Sequence, residues 1–252
     1  MGLFGRTRFL DPDVEDWCLE TWAWLMANLG GMARLRQASL VLATREFFPP
    51  TEAQGHERAL YVFERVKSLM GLEEWPARLE PFARPQVQRV GPLALIQTGG
   101  TANGTFRVEN GEAVIGYASD LVGDPRHMIA TFSHELAHYL LGSIRGAIPG
   151  GNELHELATE LTVAHAGFGV FGANKAFHFE QQQDAFAQGW RSSRSGYFSE
   201  RTWAFALALF TTLRGGEIPH GQLKPSIAEL ARKAERYLKR NEDLVASLRA
   251  ID

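Results

Sequence analysis

The chain has 252 residues, of which 45% are hydrophobic, and its formal net charge is −3 at pH 7. A chain of this length and apolar content can bury one sizeable core or two small ones. The absence of a basic excess argues against a nucleic-acid or membrane-surface partner. A single cysteine, Cys18, excludes an intrachain disulfide and favours a reducing compartment.

Targeting and membrane signals are weak in this sequence. The N-terminal segment has neither a long apolar run nor a small-residue cleavage site, which argues against a secretory signal. The apolar stretches farther along are interrupted by Glu160 and His165 or, as at 203–213, are too short to span a bilayer. These features predict a soluble, cytoplasmic protein of bacterial type and leave its oligomeric state open.

The N-terminal part is predicted to contain two helices and one short strand. Asp11 as N-cap and Pro12 in the first turn favour a helix over 11–29. The apolar run 38–43 is typical of a short buried strand, and 52–70 reads as a second helix. The first helix carries the residues expected to anchor the core, namely Trp17, Cys18, Trp22, Trp24 and Leu25.

The middle of the chain, from 77 to 118, has the pattern of strands. Short apolar segments at 93–97, 105–109 and 113–118 alternate with glycine, asparagine and proline. The dipeptide Asn110-Gly111 between two of these segments is a strong signal for a two-residue hairpin turn. A small sheet is therefore expected here.

The remainder of the chain is predicted to be helical. Apolar spacing indicates four helices, over 125–141, from 152 onward, over 199–213 and over 225 to about 239. The fourth is expected to be the last helix of the chain. The residues that favour these boundaries are Asp124, Asn152 and Ser199 as N-caps, Pro125 and Pro225 in first turns, and Gly142 and Gly215 as stops. Helices, a small sheet and more helices in this order predict an α+β fold.

The string His134-Glu135-Leu136-Ala137-His138 carries the chemistry of this sequence. On a helix, two histidines four positions apart project from one face and can reach one metal ion. Imidazole suits zinc, and a catalytic zinc normally has three protein ligands and a water. Glu135 lies beside the first histidine, where it can take a proton from that water. The motif predicts a Zn²⁺ site with Glu135 as general base.

The third ligand is expected from the following helix. Glu156 and Glu160 are four residues apart and share a helical face, so one carboxylate can bind zinc while the other orients a ligating histidine. His155 and Glu153 are rival ligands on the same segment. Because His155 lies about 100° around the helix from Glu156, both cannot face the metal equally well, and surface positions are expected for the two rivals.

This arrangement resembles the gluzincin metallopeptidases, in which a second helix supplies a glutamate ligand to the His-Glu-x-x-His helix. The resemblance implies that Glu156 binds the metal and that Glu160 supports His134 from outside the ligand set. Glutamate at 160 departs from the common aspartate, so Glu160 stays an alternative ligand. The segments 161–174 and 196–200 also resemble an uncharacterised bacterial family of small His-Glu-x-x-His proteins. That family has no assigned substrate, so this second resemblance implies none for the chain.

The resemblance implies one zincin-like metallopeptidase domain over 1–252, with a mixed sheet packed on the two metal helices. Its parts would be 1–75, 77–170 and 171–252. Such a domain hydrolyses peptide bonds with a water on zinc activated by glutamate, and its partner is a peptide or protein substrate. In peptidases of this type, a strand such as 113–118 lies along the cleft and pairs with the substrate. The alternative is a non-catalytic zinc protein that binds a partner through a peptidase-like fold.

A further donor is expected to stabilise the oxyanion during hydrolysis. Tyr197 is the first candidate, since the neighbouring glycine and Ser199 place it in a turn before a helix. His178 and His165 are weaker candidates, for which a packed or surface role is the simpler interpretation. The remaining histidines lack metal-ligand spacing and are expected at the surface; they are His56, His127 and His220.

Overall fold

A computed structural model describes residues 7–83, 103–180 and 198–252 of the chain, with only the backbone described for 176–180. The predicted α+β class is confirmed, because the described residues combine many helices with one small mixed sheet. The chain divides into two compact units, one formed by Ala43–Tyr139 and the other by Met1–Leu42 with Leu140–Asp252.

The unit Ala43–Tyr139 contains the sheet. Its strands are β1 (Ala77–Phe82), β2 (Gly104–Glu109) and β3 (Glu112–Ala118), in the order β1-β3-β2. β3 pairs in parallel with β1 and antiparallel with β2. The hairpin between β2 and β3 is confirmed, with φ of 52° at Asn110 and 82° at Gly111, as a type I′ turn requires.

The strand predicted over 113–118 is confirmed, but the expected pairing of a peptide with it is wrong. β3 is the central strand, and both of its edges are already hydrogen-bonded to other strands of the chain. An added strand needs a free row of backbone N–H and C=O groups. The strand predicted over 93–97 lies outside the described residues.

Aromatic side chains join one face of the sheet to the helices of the same unit. These helices are α3 (Gly55–Leu69) and α4 (Pro125–Ser143), of which α4 continues into the other unit after Tyr139. Phe132 of α4 meets Tyr117 of β3 and Phe63 of α3 edge to face, with ring centroids 5.8 Å and 5.7 Å apart. This stack holds α4 against the sheet.

The opposite face of the sheet carries a network of charged side chains. Arg78 bonds to glutamates on all three strands, and Arg107 bonds to two of the same glutamates. The glutamates are Glu80, Glu109 and Glu112. Successive side chains of a strand point to opposite faces of the sheet. The residues that alternate with these charged side chains therefore point toward α4.

Local signals explain where α4 begins. The side-chain oxygen of Asp124 accepts a hydrogen bond from the backbone N–H of His127 at 3.1 Å, and Pro125 occupies the first helical position. The predicted start is therefore confirmed. Gly142 does not end the helix, which continues to Ser143.

The second unit is helical. Its helices are α1 (Pro12–Asn28), α2 (Gly31–Gln37), α5 (His155–Val163), α6 (Gly169–Glu180), α7 (Glu200–Arg214), α8 (Pro225–Arg240) and α9 (Asp243–Arg249). Every residue of α7 from Thr202 to Thr211 is buried, so α7 forms the centre of this unit. In the described part of the chain, no helix has both the length and the apolar character needed to cross a membrane.

Two predictions for this unit are confirmed in detail. Ser199 caps α7 by accepting a hydrogen bond from the backbone N–H of Thr202 at 3.1 Å. Cys18 is fully buried in α1, and burial raises the pKa of its thiol. Trp17, Trp22 and Leu25 are also buried, whereas Trp24 is only half-buried.

The predicted strand at 38–43 is wrong. This segment is irregular, and the backbone N–H of Val41 donates to the carbonyl of Gly167 at 2.9 Å. Val41 is fully buried, so the apolar run reflects core packing and not strand pairing. Gly167 interrupts a π-helical turn at 164–168 with φ of 91°, which leaves its carbonyl available to this segment.

Other helix boundaries also differ from prediction. Asn152 does not cap a helix but begins a 3₁₀ turn, Asn152–Leu154, and α5 starts only at His155. The short helix α2 was not predicted, and α9 follows the helix expected to be the last. Both are seven residues long, which is too short for apolar periodicity to stand out.

Candidate metal centre

The two histidines of the motif converge on one point. The Nε2 atoms of His134 and His138 lie 3.1 Å apart, and their rings are nearly perpendicular. Two imidazole nitrogens each about 2.05 Å from one zinc would be about 3.3 Å apart in a tetrahedral shell. The observed separation is close to that value, so the pair fits a single metal ion.

A carboxylate completes the group. His134, His138 and Glu156 each offer one ligand atom, and these atoms all lie within 4.8 Å of one another. Two imidazoles and one carboxylate are a donor set that suits zinc and leaves a coordination position for water or substrate. Whether these residues bind a metal stays a prediction.

Glu135 lies in a tight environment beside this pair. Only 7% of its surface is exposed, compared with 8% for His134. Its side chain packs beside Thr131 of α4 and directly under the backbone of Gly104, the first residue of β2. The helix and the strand therefore restrict the directions in which this carboxylate can point.

The strand β2 also contacts a candidate ligand. The ring of Phe106 lies nearly parallel to the ring of His138, at an angle of 15° and a centroid distance of 6.1 Å. Phe106 also contacts Tyr139, whose hydroxyl donates to the carbonyl of Pro76 at 3.2 Å. These contacts limit rotation of the His138 ring. Sequence reasoning missed them, since a strand position alone does not reveal which helix residue it meets.

The rival ligands take different positions. Glu160 is 6% exposed and lies in the middle of α5, one turn after Glu156. Glu153 is exposed on the 3₁₀ turn before α5, as expected for a surface group. His155 is half-buried at the first position of α5, so its expected surface position is only partly confirmed. The support of His134 by Glu160 stays a prediction.

Two of the three candidate oxyanion donors cannot be placed. Tyr197 lies outside the described residues, and the side chain of His178 does as well, although its backbone belongs to α6. His165 is 3% exposed and packs edge-on against Trp22, with ring centroids 5.4 Å apart. This position favours the packed role for His165.

Three further histidines of the described residues lie outside the candidate group of His134, His138 and Glu156. His56 is exposed, and its Nδ1 lies 3.0 Å from the hydroxyl of Tyr117. His220 is half-buried, with its Nε2 lying 3.0 Å from a carboxylate oxygen of Glu235. His127 is half-buried near the start of α4. The expected surface position is therefore confirmed for His56 and only partly for the other two.

The buried position of His165 predicts a pH effect on stability. Burial, with a smaller contribution from the charge of Arg34, lowers the pKa of His165 from 6.5 to about 3. The folded chain keeps this ring neutral, whereas the unfolded chain protonates it below pH 6.5. The free energy of unfolding therefore decreases as the pH is lowered. Between pH 7 and pH 5 the loss from this group should be about 2 kcal/mol.

Urea unfolding at the two pH values checks this effect. His165→Phe removes the titrating group, so the variant should lose about 2 kcal/mol less than the wild type over the same interval. The comparison uses the change with pH and is insensitive to any constant cost of the substitution. Equal losses in both proteins would contradict the assignment of His165 to the core.

Comparisons with known proteins found no relative of this chain. No family model matches the chain, and no curated protein or solved structure matches it. The likeness to gluzincins therefore stays a prediction that depends on the motif at 134–138 and on Glu156. The functional argument is carried by the residues of this chain.

Proposed function

We propose that the chain is a zinc-dependent metallopeptidase of the gluzincin type. The observation that carries the proposal is the convergence of the His134 and His138 Nε2 atoms, 3.1 Å apart, beside the buried Glu135. A binding site without catalysis does not need a carboxylate next to the metal, and structural zinc sites usually have four protein ligands. Glu135 therefore favours hydrolysis.

The proposed roles follow from the chemistry of each group. His134, His138 and Glu156 would hold the ion, which when bound lowers the pKa of water and polarises a carbonyl. Glu135 takes a proton from the attacking water through a carboxylate oxygen and later gives it to the leaving nitrogen of the amide. Water first adds to the carbonyl carbon, and the carbon–nitrogen bond then breaks as Glu135 returns the proton to the nitrogen. The hydroxyl stays on the acid and the hydrogen goes to the amine, so no other reactant is needed.

The register of the sheet supports the edge of β2 as the place where a peptide substrate would bind. Ala118 N donates to Asn103 O at 3.0 Å, so the next pair, Gly104 with Tyr117, is a non-hydrogen-bonded pair. The backbone N–H and C=O groups of Gly104 and Phe106 therefore point away from β3. Among the described strands, β2 has no other neighbour. An extended peptide adding to this edge would pass the side chains of Glu135 and His138.

Digestion of a peptide library tests the proposal. The zinc-loaded chain should cleave peptides, a chelator should stop cleavage, and added zinc should restore it. A His134→Ala/His138→Ala double variant, prepared in the same way, controls for a contaminating peptidase. Stoichiometric zinc without any cleavage would contradict the proposal and would favour the non-catalytic zinc protein that binds a partner.

A further inference from the structure

We propose that Gly104 is a positioning residue for Glu135, and that its missing side chain sets the direction of the catalytic carboxylate. This inference rests on the proposed function, because it assigns Gly104 a role through the general base. Gly104 begins β2, and its partner in the sheet is Tyr117 of β3. Its α-carbon faces α4 at the level of Thr131 and Glu135.

The space at this position is too small for any side chain. A Cβ atom on Gly104 would lie 2.6 Å from Glu135 Oε1, 2.7 Å from Thr131 Cγ2 and 2.8 Å from Glu135 Cγ. All three distances are under 3.0 Å, a separation from other heavy atoms that Cβ atoms essentially never show. A single added methyl group must therefore displace one of its neighbours.

The neighbours determine which part moves. All three nearest atoms belong to side chains and none to the backbone, and two of them belong to Glu135. A rotation of the Glu135 side chain is the least costly response, since a rotamer change disturbs less than a shift of strand or helix. Gly104→Ala therefore turns the carboxylate away from its position, and Thr131, whose Cγ2 would lie 2.7 Å from the added Cβ, has to shift as well.

The metal ligands should be spared. None of the three atoms nearest to the added Cβ belongs to His134 or His138. A base displaced by about 1 Å can lower the rate about 100-fold while the metal stays bound. We expect zinc content to be unchanged, kcat to fall about 10- to 100-fold, and KM to change by less than about threefold.

Gly116→Ala provides a matched steric control. Gly116 lies in β3 opposite Thr105 of β2, and a Cβ added there would overlap Thr105 Oγ1 on the charged face of the sheet. Both variants introduce the same methyl group into the same hairpin. Gly116→Ala should lower the midpoint of thermal unfolding and leave kcat within about twofold of the wild type.

The experiment measures zinc content, kcat and KM on the peptide that the wild type cleaves fastest, and unfolding free energies. If Glu135 receives the methyl group, the destabilisation caused by Gly104→Ala should be smaller in a Glu135→Ala background. If the wild type is active, an unchanged kcat in Gly104→Ala would overturn this inference and leave the proposed function standing. Equal falls in kcat in Gly104→Ala and Gly116→Ala would have the same consequence. A wild type that cleaves nothing would overturn the proposed function and this role with it.

Discussion

Replacing Glu135 by glutamine is expected to abolish peptide hydrolysis and to leave the zinc content unchanged. Glutamine has nearly the same shape, so it can occupy the buried space beneath Gly104. It cannot take a proton from the attacking water, and general-base catalysis contributes about 10²- to 10⁴-fold to such rates. The measurement is kcat/KM on a cleaved peptide, together with the zinc content of the same preparation.

The matched control for this substitution is Glu64→Gln. Glu64 lies on α3, where 52% of its side chain is exposed, and its only described ion pair is with Lys67 at 3.9 Å. The same chemical change at this surface position should leave kcat/KM within about twofold of the wild type. Hydrolysis retained in Glu135→Gln would remove Glu135 from the role of general base.

Replacing Glu156 by alanine is expected to remove stoichiometric zinc binding. Glu156 is the carboxylate whose oxygen lies within 4.8 Å of the ligand nitrogens of His134 and His138. Loss of one of three protein ligands leaves a shell that zinc occupies only weakly. Hydrolysis should be lost with the metal, and added zinc should restore little of it.

The neighbouring Glu160→Ala variant distinguishes a ligand from a supporting group. A carboxylate that orients a ligating histidine typically contributes about 10- to 100-fold to metal affinity, so zinc should bind this variant more weakly and still reach one ion per chain at saturation. Titration with zinc in the presence of a competing chelator measures both affinities. Full occupancy in Glu156→Ala with loss in Glu160→Ala would reverse the assignment of the third ligand.

The elements that local signals define are those that the sequence predicts well. The start of α4 depends on the cap by Asp124 and on Pro125, and both act within one helical turn. The hairpin depends on two adjacent residues, Asn110 and Gly111, that adopt positive φ. Both features can be read from a few neighbouring residues because no distant contact is needed to form them.

The errors arise where distant contacts determine the structure. The run 38–43 is apolar enough for a strand, but the N–H of Val41 bonds to Gly167, which sequence spacing cannot indicate. The prediction that a peptide pairs with 113–118 failed for a similar reason. The order of strands in a sheet, which makes β3 central, is decided by tertiary packing.

The candidate site also contains features that the sequence predicts and features that depend on distant contacts. The spacing of His134, Glu135 and His138 on a helix could be predicted from the motif alone. The packing of Gly104 on Glu135 and of Phe106 on His138 could not, because it depends on how the strand β2 lies against α4. These contacts restrict the directions that the Glu135 carboxylate and the His138 ring can take.

Metal analysis tests the central claim most directly. The purified chain is loaded with zinc, dialysed to remove loosely bound ions, and compared with a His134→Ala/His138→Ala double variant prepared in parallel. The account predicts one tightly bound zinc per wild-type chain and none in the variant, with both proteins folded by circular dichroism. A wild-type chain without bound zinc, or a double variant that keeps it, would contradict the account.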